Sequence, residues 1–116
     1  MKLTDTYLDD LFRKAIRLRD NYDICPICRN PFGHFRRPEV CHWQGRRYLK
    51  TRWDMDNAIL GCSICNTICA DFEHILRERG VDTDMVRFKA KSFGKPERDL
   101  IAMQLKMFIA NVAQKY

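Results

Sequence analysis

The chain has 116 residues, 46% of them hydrophobic, and a formal net charge of +6; that is enough for one small domain whose modest core a staple such as a metal would help to hold. No run of about eighteen apolar residues occurs, and Met1–Asp10 turns acidic where a signal peptide would be apolar, which argues against a membrane-spanning helix and predicts a cytoplasmic protein. Six cysteines without an export signal, four of them in two Cys-x-x-Cys pairs, are expected to be metal thiolates in a reducing compartment rather than disulfides.

The spacing predicts a first helix capped by Thr4 or Asp5, with Asp9 and Asp10 in the early turns where the helix dipole favours negative charge. Leu8, Leu11, Phe12, Ala15 and Ile16 form its buried stripe, and it is expected to end between Asp20 and Tyr22. For Arg17 and Arg19 two readings stand: solvated arginines with aliphatic stems over the core, or DNA contacts. Cys25-Pro26-Ile27-Cys28 reads as a knuckle, followed by a turn at 29–33. Gly61-Cys62-Ser63-Ile64-Cys65 supplies the matching knuckle. Two such pairs brought together suit the four tetrahedral ligands that zinc prefers, so Cys25, Cys28, Cys62 and Cys65 are the candidate ligands of a structural Zn²⁺.

Glu39–Gln44 alternates as a strand does, with Glu39, Cys41 and Trp43 on one face and Val40, His42 and Gln44 on the other. Gly45 opens a basic loop, and Asn57–Leu60 is the expected returning strand. A helix is predicted from Cys65 or Asn66 to Arg79, with Ile68, Phe72, Ile75 and Leu76 inside and Gly80 as its left-handed stop. A short helix follows Val81-Asp82-Thr83, and a last one begins after Pro96. The last helix is apolar over more than one narrow seam, which suits closure of the core against the first helix or a homodimer surface. Trp43 and Trp53 are expected to pack in the interior.

The basic charge is concentrated. From Arg29 to Arg52 there are seven basic residues against the single acid Glu39, while the rest of the chain balances. A surplus confined to one stretch is what a phosphate-binding surface requires. Arg36, Arg37, Arg46, Arg47, Lys50 and Arg52 are therefore the candidate DNA-binding residues.

A histidine at 42, an arginine four positions on, Thr51-Arg52-Trp53-Asp54, Asn57 at plus fifteen and Cys62-x-x-Cys65-Asn66 ending at plus twenty-four resemble the HNH, or ββα-metal, nucleases. Within them the chain is most similar to the NinG (Rap) recombination proteins of lambdoid phages, whose Arg-x-Arg-Asp segment before the first cysteine pair also resembles Arg17–Asp20. The resemblance runs from about Phe12 to Lys91. It implies a mostly helical α+β fold with a small zinc-stapled ββα-metal core at 23–80, flanked by an N-terminal helix within 1–22 and C-terminal helices within 81–116, all one nuclease domain. It further implies a metal-dependent DNA endonuclease acting on branched or recombining DNA in a bacterial host cell. His42 would be the general base, Asn57 would fix the loop and orient His42, Asn66 would be a ligand of a catalytic Mg²⁺ or Mn²⁺, and Arg46, Arg47 and Arg52 would position the backbone. His34 also sits in a Gly-His-Phe run, but the same offsets from it fall on Leu49 and Ala58, which can neither orient an imidazole nor bind a metal.

Cys41 departs from the family pattern, in which many members carry Asp or His as a metal ligand just before the base and the NinG proteins typically Gly. Its soft sulfur suits zinc better than magnesium. Three readings follow: a buried apolar residue, a ligand for a thiophilic metal, or a mark of altered activity; Glu39, two residues back on the same face, could replace it with an oxygen. The alternative from another class is a non-catalytic zinc-stabilised module that binds DNA or a protein.

Overall fold

Helix α1 runs Asp5–Arg19 in the computed structural model, which describes residues 3–114. Residues 1–2 and 115–116, the outer ends of the predicted 1–22 and 81–116 segments, lie outside the described residues. Thr4 caps α1, its hydroxyl accepting the Tyr7 N–H, and Leu8, Phe12, Ala15 and Ile16 are buried along the expected stripe. The helix stops at Asp20, whose carboxylate is buried and accepts the Leu60 N–H together with Arg19 and Arg79. Burial alone would raise the Asp20 pKa, but the Arg19 bonds and charge, the Leu60 amide and Arg79 outweigh it and hold the group below the usual carboxylate range. One acid thus ties the end of the first helix to the hairpin forty residues on.

That hairpin pairs β1, Pro38–His42, antiparallel with β2, Ala58–Cys62, setting His42 opposite Ala58 and Glu39 opposite Gly61. Alternation sends Val40 and Leu60 to one side, onto Leu8, Phe12 and Ile16, and Cys41 and Ile59 to the other, onto Phe72, Ile75 and Leu76. Both faces are covered, so every residue of β2 is buried. Strand β1 ends two residues before the predicted Gln44, because Trp43 and Gln44 bond to Asn57 instead of continuing the ladder. The loop between the strands holds a short helix, α2 (Leu49–Arg52), and a 3₁₀ turn at Met55–Asn57. Gly61 is required by close approach: a Cβ there would lie 2.7 Å from the Cys41 sulfur and 3.2 Å from Ile27.

The single helix predicted from Cys65 or Asn66 to Arg79 is two. Helix α3 spans Ser63–Thr67 and α4 spans Glu73–Glu78, separated by a turn in which Cys69 takes a left-handed φ of 54°. Asp71 accepts the Glu73 N–H and restarts the chain. The break turns Ile68 out to solvent, against the predicted inner position, while Phe72, Ile75 and Leu76 stay buried. Gly80, at φ 87°, ends α4 as expected, and the Val81 N–H returns to the Leu76 carbonyl.

Asp82 caps α5, Thr83–Ala90, and α6 follows at Arg98–Gln114. Ala102 and Leu105 pack into the α1 core, and Arg98 pairs with Asp5 at 2.6 Å. Of the two uses expected for the tail, closure of the core is therefore met within the chain, with Met103 and Met107 facing outward. The architecture is a small α+β fold, about half helical, around a two-stranded sheet. No described helix is long and apolar enough to cross a membrane.

Candidate active site and metal centre

The two knuckles meet. The sulfurs of Cys25, Cys28, Cys62 and Cys65 lie within 4.8 Å of one another, with Cys28 and Cys62 3.8 Å apart. A tetrahedron of Zn–S bonds of about 2.3 Å has edges of about 3.8 Å. Backbone amides aim at the sulfurs: the Cys62 N–H donates to Cys25 Sγ at 3.3 Å and the Cys65 N–H to Cys62 Sγ at 3.4 Å. The first knuckle closes by Arg29 taking a φ of 66° and returning its N–H to the Cys25 carbonyl. Four soft donors at this spacing, two of them accepting backbone N–H groups, could hold a zinc ion. Arg36, expected among the DNA contacts, instead points its guanidinium at Cys28 Sγ (3.2 Å) and Cys62 Sγ (3.7 Å), where it offsets thiolate charge.

Arg37, Pro38, Glu39, Val40 and His42 of the β1 side form one wall of a cleft of about 710 Å³; Asp9, Phe12, Arg13 and Arg17 of α1 face them, with Gly45, Arg46 and Asn66 at the rim. His42 is largely buried there. Its ring lies 5.5 Å from that of Phe12, and its Nε2 is 2.9 Å from the Arg52 carbonyl. A carbonyl only accepts, so Nε2 carries the proton and the neutral ring keeps its lone pair on Nδ1. Burial lowers the His42 pKa from the ordinary 6.5; the bond to the Arg52 carbonyl opposes this, and the Arg46 charge adds to it. The imidazole is therefore neutral at pH 7.

The Arg52 carbonyl is positioned by Asn57, which is fully buried. Its Oδ1 accepts the Gln44 N–H at 2.7 Å, and its Nδ2 donates to Gln44 O and Thr51 O. Asn57 thus locks both ends of the loop that presents the carbonyl, and acts on His42 through that backbone rather than by touching the ring. Asn57→Ala would leave three backbone groups without their partner, the Thr51 carbonyl buried and the two of Gln44 partly buried. We expect it to cost about 2–4 kcal/mol, readable as a lowered urea midpoint, with Asn57→Asp recovering only the bond to the Gln44 amide.

Asn66 and Glu39 meet at the cleft, Nδ2 donating to Oε1 at 3.0 Å, while Arg37 lies 3.7 Å from the other Glu39 oxygen. Cys41, one of the candidate ligands of a catalytic metal, points the other way: it is 2% exposed among Ile59, Phe72, Ile75 and Leu76. Burial pushes its thiol up to about 12, so it is a protonated core residue rather than a ligand.

The predicted basic group is divided. Arg37 and Arg46 line the cleft. Arg47 lies over Tyr48, and Lys50 reaches toward Gly94. Arg52, expected to position a DNA backbone, is only 14% exposed and pairs with Asp9 at 2.7 Å. His34 is an exposed turn residue, as expected.

Sequence reasoning missed the roles of Asp9 and Arg13 at the cleft, whereas Arg17, for which a DNA contact is one of two readings, lines it. Asp9 accepts from Arg46, Arg52 and the Trp53 indole, so it binds the loop between the strands to α1. Burial opposes ionisation of Asp9, but the bonds from Arg52, Trp53 and Arg46 bring its pKa down to about 2 from 3.8. A carboxyl depressed in the folded state stabilises above its unfolded pKa and loses that contribution as pH falls through the window from 3.8 to about 2. Asp9→Asn should therefore remove about 1–2 kcal/mol at pH 7 and flatten that part of the acid-unfolding profile. No nearby signal marks the role of Asp9, since its partners are some forty positions away in the chain.

A scan against protein-family models finds no match for the chain, and searches of curated proteins and of solved structures find none either.

Proposed function

We propose that this protein is a metal-dependent DNA endonuclease built on an HNH, or ββα-metal, core of the NinG kind, stapled by a structural zinc, and that it acts on branched or recombining DNA. The observation that carries the reading is His42: a neutral, carbonyl-oriented imidazole in a cleft lined by Arg13, Arg17, Arg37, Arg46, Glu39 and Asn66. The element order supports it too, since two antiparallel strands lead directly into the short helix bearing Asn66.

In this reading His42 takes a proton from water at Nδ1, with Nε2–H bound to the Arg52 carbonyl so that the ring keeps its orientation. Arg37 and Arg46, both exposed though paired with Glu39 and Asp9, would turn to the phosphate, while Arg13 and Arg17 extend the positive wall along α1. Glu39 and Asn66 offer hard oxygen donors on one side of the cleft, which fits Mg²⁺ or Mn²⁺, ions that take few protein ligands and complete their shell with water and phosphate. A divalent cation there would supply charge stabilisation at the phosphate and the leaving 3′ oxygen.

The test is incubation of the zinc-loaded protein with linear, nicked and four-way DNA, with Mg²⁺, Mn²⁺ or neither. Cleavage that needs an added divalent cation and falls in Glu39→Gln supports the reading. Its absence on every substrate favours the second reading, a non-catalytic zinc-stabilised DNA-binding module, for which the sparse oxygen donor set is the favouring observation.

A further inference from the structure

Two phenylalanines stand in solvent on one side of the molecule. Phe88 on α5 is 73% exposed and Phe93, in the loop after it, 99% exposed. An exposed Phe left without a function costs solubility, and here both line one cleft of about 560 Å³ with Arg87, Lys91, Ser92 and Asp84. The stretch from Met85 to Lys95 carries Arg87, Lys89, Lys91 and Lys95 and no acid. Arg87 is committed to Glu73 and Asp84, and Lys89 to Asp54. Lys91 and Lys95 have no carboxylate partner among the described residues. Neither has Lys50, whose Nζ comes to the Gly94 backbone beside Phe93.

We propose that Phe88 and Phe93 form a stacking platform for unpaired bases of single-stranded DNA, with Lys50, Lys91 and Lys95 holding its phosphates. Aromatic faces flanked by unneutralised lysines are what sequence-tolerant single-strand binding requires, because every base has a π-face and every nucleotide a charge. An apolar peptide or a second copy of this chain would use the rings but gain nothing from three unpaired cations.

The platform also has a place relative to the cleft. Arg46 lines the cleft and Lys50 lies at the Phe93 loop, and their Cα atoms, four residues apart, are within about 14 Å, so one strand a few nucleotides long could run from one to the other. This part of the inference rests on the nuclease reading and deepens it: the substrate would carry an unpaired segment a few nucleotides from the cut, as branched DNA does.

The experiment measures binding of the full zinc-loaded chain to a fluorescein-labelled oligothymidylate and to a blunt duplex by anisotropy at two salt concentrations. Both rings are exposed, so the Phe88→Ala/Phe93→Ala double variant should fold normally. It is expected to lose at least tenfold in single-strand affinity and little in duplex affinity. Phe93→Trp in the Phe88 background should retain the single-strand affinity, and Lys91→Ala/Lys95→Ala should lower its salt dependence. Unchanged single-strand affinity in the double phenylalanine variant overturns the proposal. So does a wild-type dimer that this variant converts to monomer without altering single-strand binding, which would assign the surface to self-association. The nuclease reading fails separately: single-strand binding lost with the phenylalanines in a protein that cleaves nothing would leave the platform standing and remove the catalytic claim. Normal cleavage with unaltered single-strand binding would do the reverse.

Discussion

On the proposed nuclease reading, His42→Ala is expected to lower the DNA cleavage rate by about 10²–10⁴-fold, the usual contribution of a positioned general base, while leaving salt-sensitive DNA binding in place. The reasoning rests on the ring's surroundings. The Arg52 carbonyl accepts the Nε2–H hydrogen bond, and burial disfavours charging of the imidazole at neutral pH, which leaves Nδ1 unprotonated. The rate should therefore hold as pH falls toward 6.5, the ordinary imidazole value, and drop only below it. Because the ring also packs on Phe12, the thermal midpoint of the variant must be measured alongside. A folded variant that recovers some cleavage when imidazole is added would tie the loss to the missing base. Undiminished cleavage would show that another group takes the proton.

The second large effect concerns the thiolate cluster. Cys25→Ser or Cys62→Ser is expected to lose bound zinc and unfold the domain at ordinary temperatures. Structural zinc contributes about 10–16 kcal/mol of apparent binding energy at neutral pH, against a total folding stability of about 5–15 kcal/mol for a typical domain. The cluster joins the segment before β1 to the end of β2 and the start of α3, so its loss frees both approaches to the cleft. Metal content by elemental analysis and far-UV circular dichroism would check this. A serine variant with full zinc and an unchanged unfolding midpoint would refute the site. Cys41→Ser is the informative contrast. Its zinc should stay, and its cost should be the smaller one of placing a hydroxyl in an apolar core, about 1–3 kcal/mol.

Much of this was legible locally. The stripe of Leu8, Phe12, Ala15 and Ile16, the Thr4 and Asp82 caps, the alternation around His42 and the stop at Gly80 each follow from backbone geometry within a few residues, and each has its expected place. The paired cysteines were legible because a knuckle needs its two ligands close in sequence. The break between α3 and α4 was not, since the apolar spacing of Ile68, Phe72 and Leu76 continues across it and only the left-handed Cys69 interrupts the helix.

Residue types and short spacings by themselves determined the first and last helices, the hairpin and the ligand pairs, while the preference for His42 over His34 came from the resemblance. Only the tertiary structure decided which charges are free to act. Arg36, Arg46 and Arg52 are basic side chains in a basic stretch, yet Arg36 faces the cysteine sulfurs and Arg46 and Arg52 share the Asp9 carboxylate, with Arg52 largely covered and Arg46 still exposed at the cleft. Cys41 is adjacent to the candidate base, yet the pleat turns it into the core. Secondary structure is set by neighbours along the chain, whereas the availability of a charge or a thiol depends on partners that folding brings from some twenty to forty positions away.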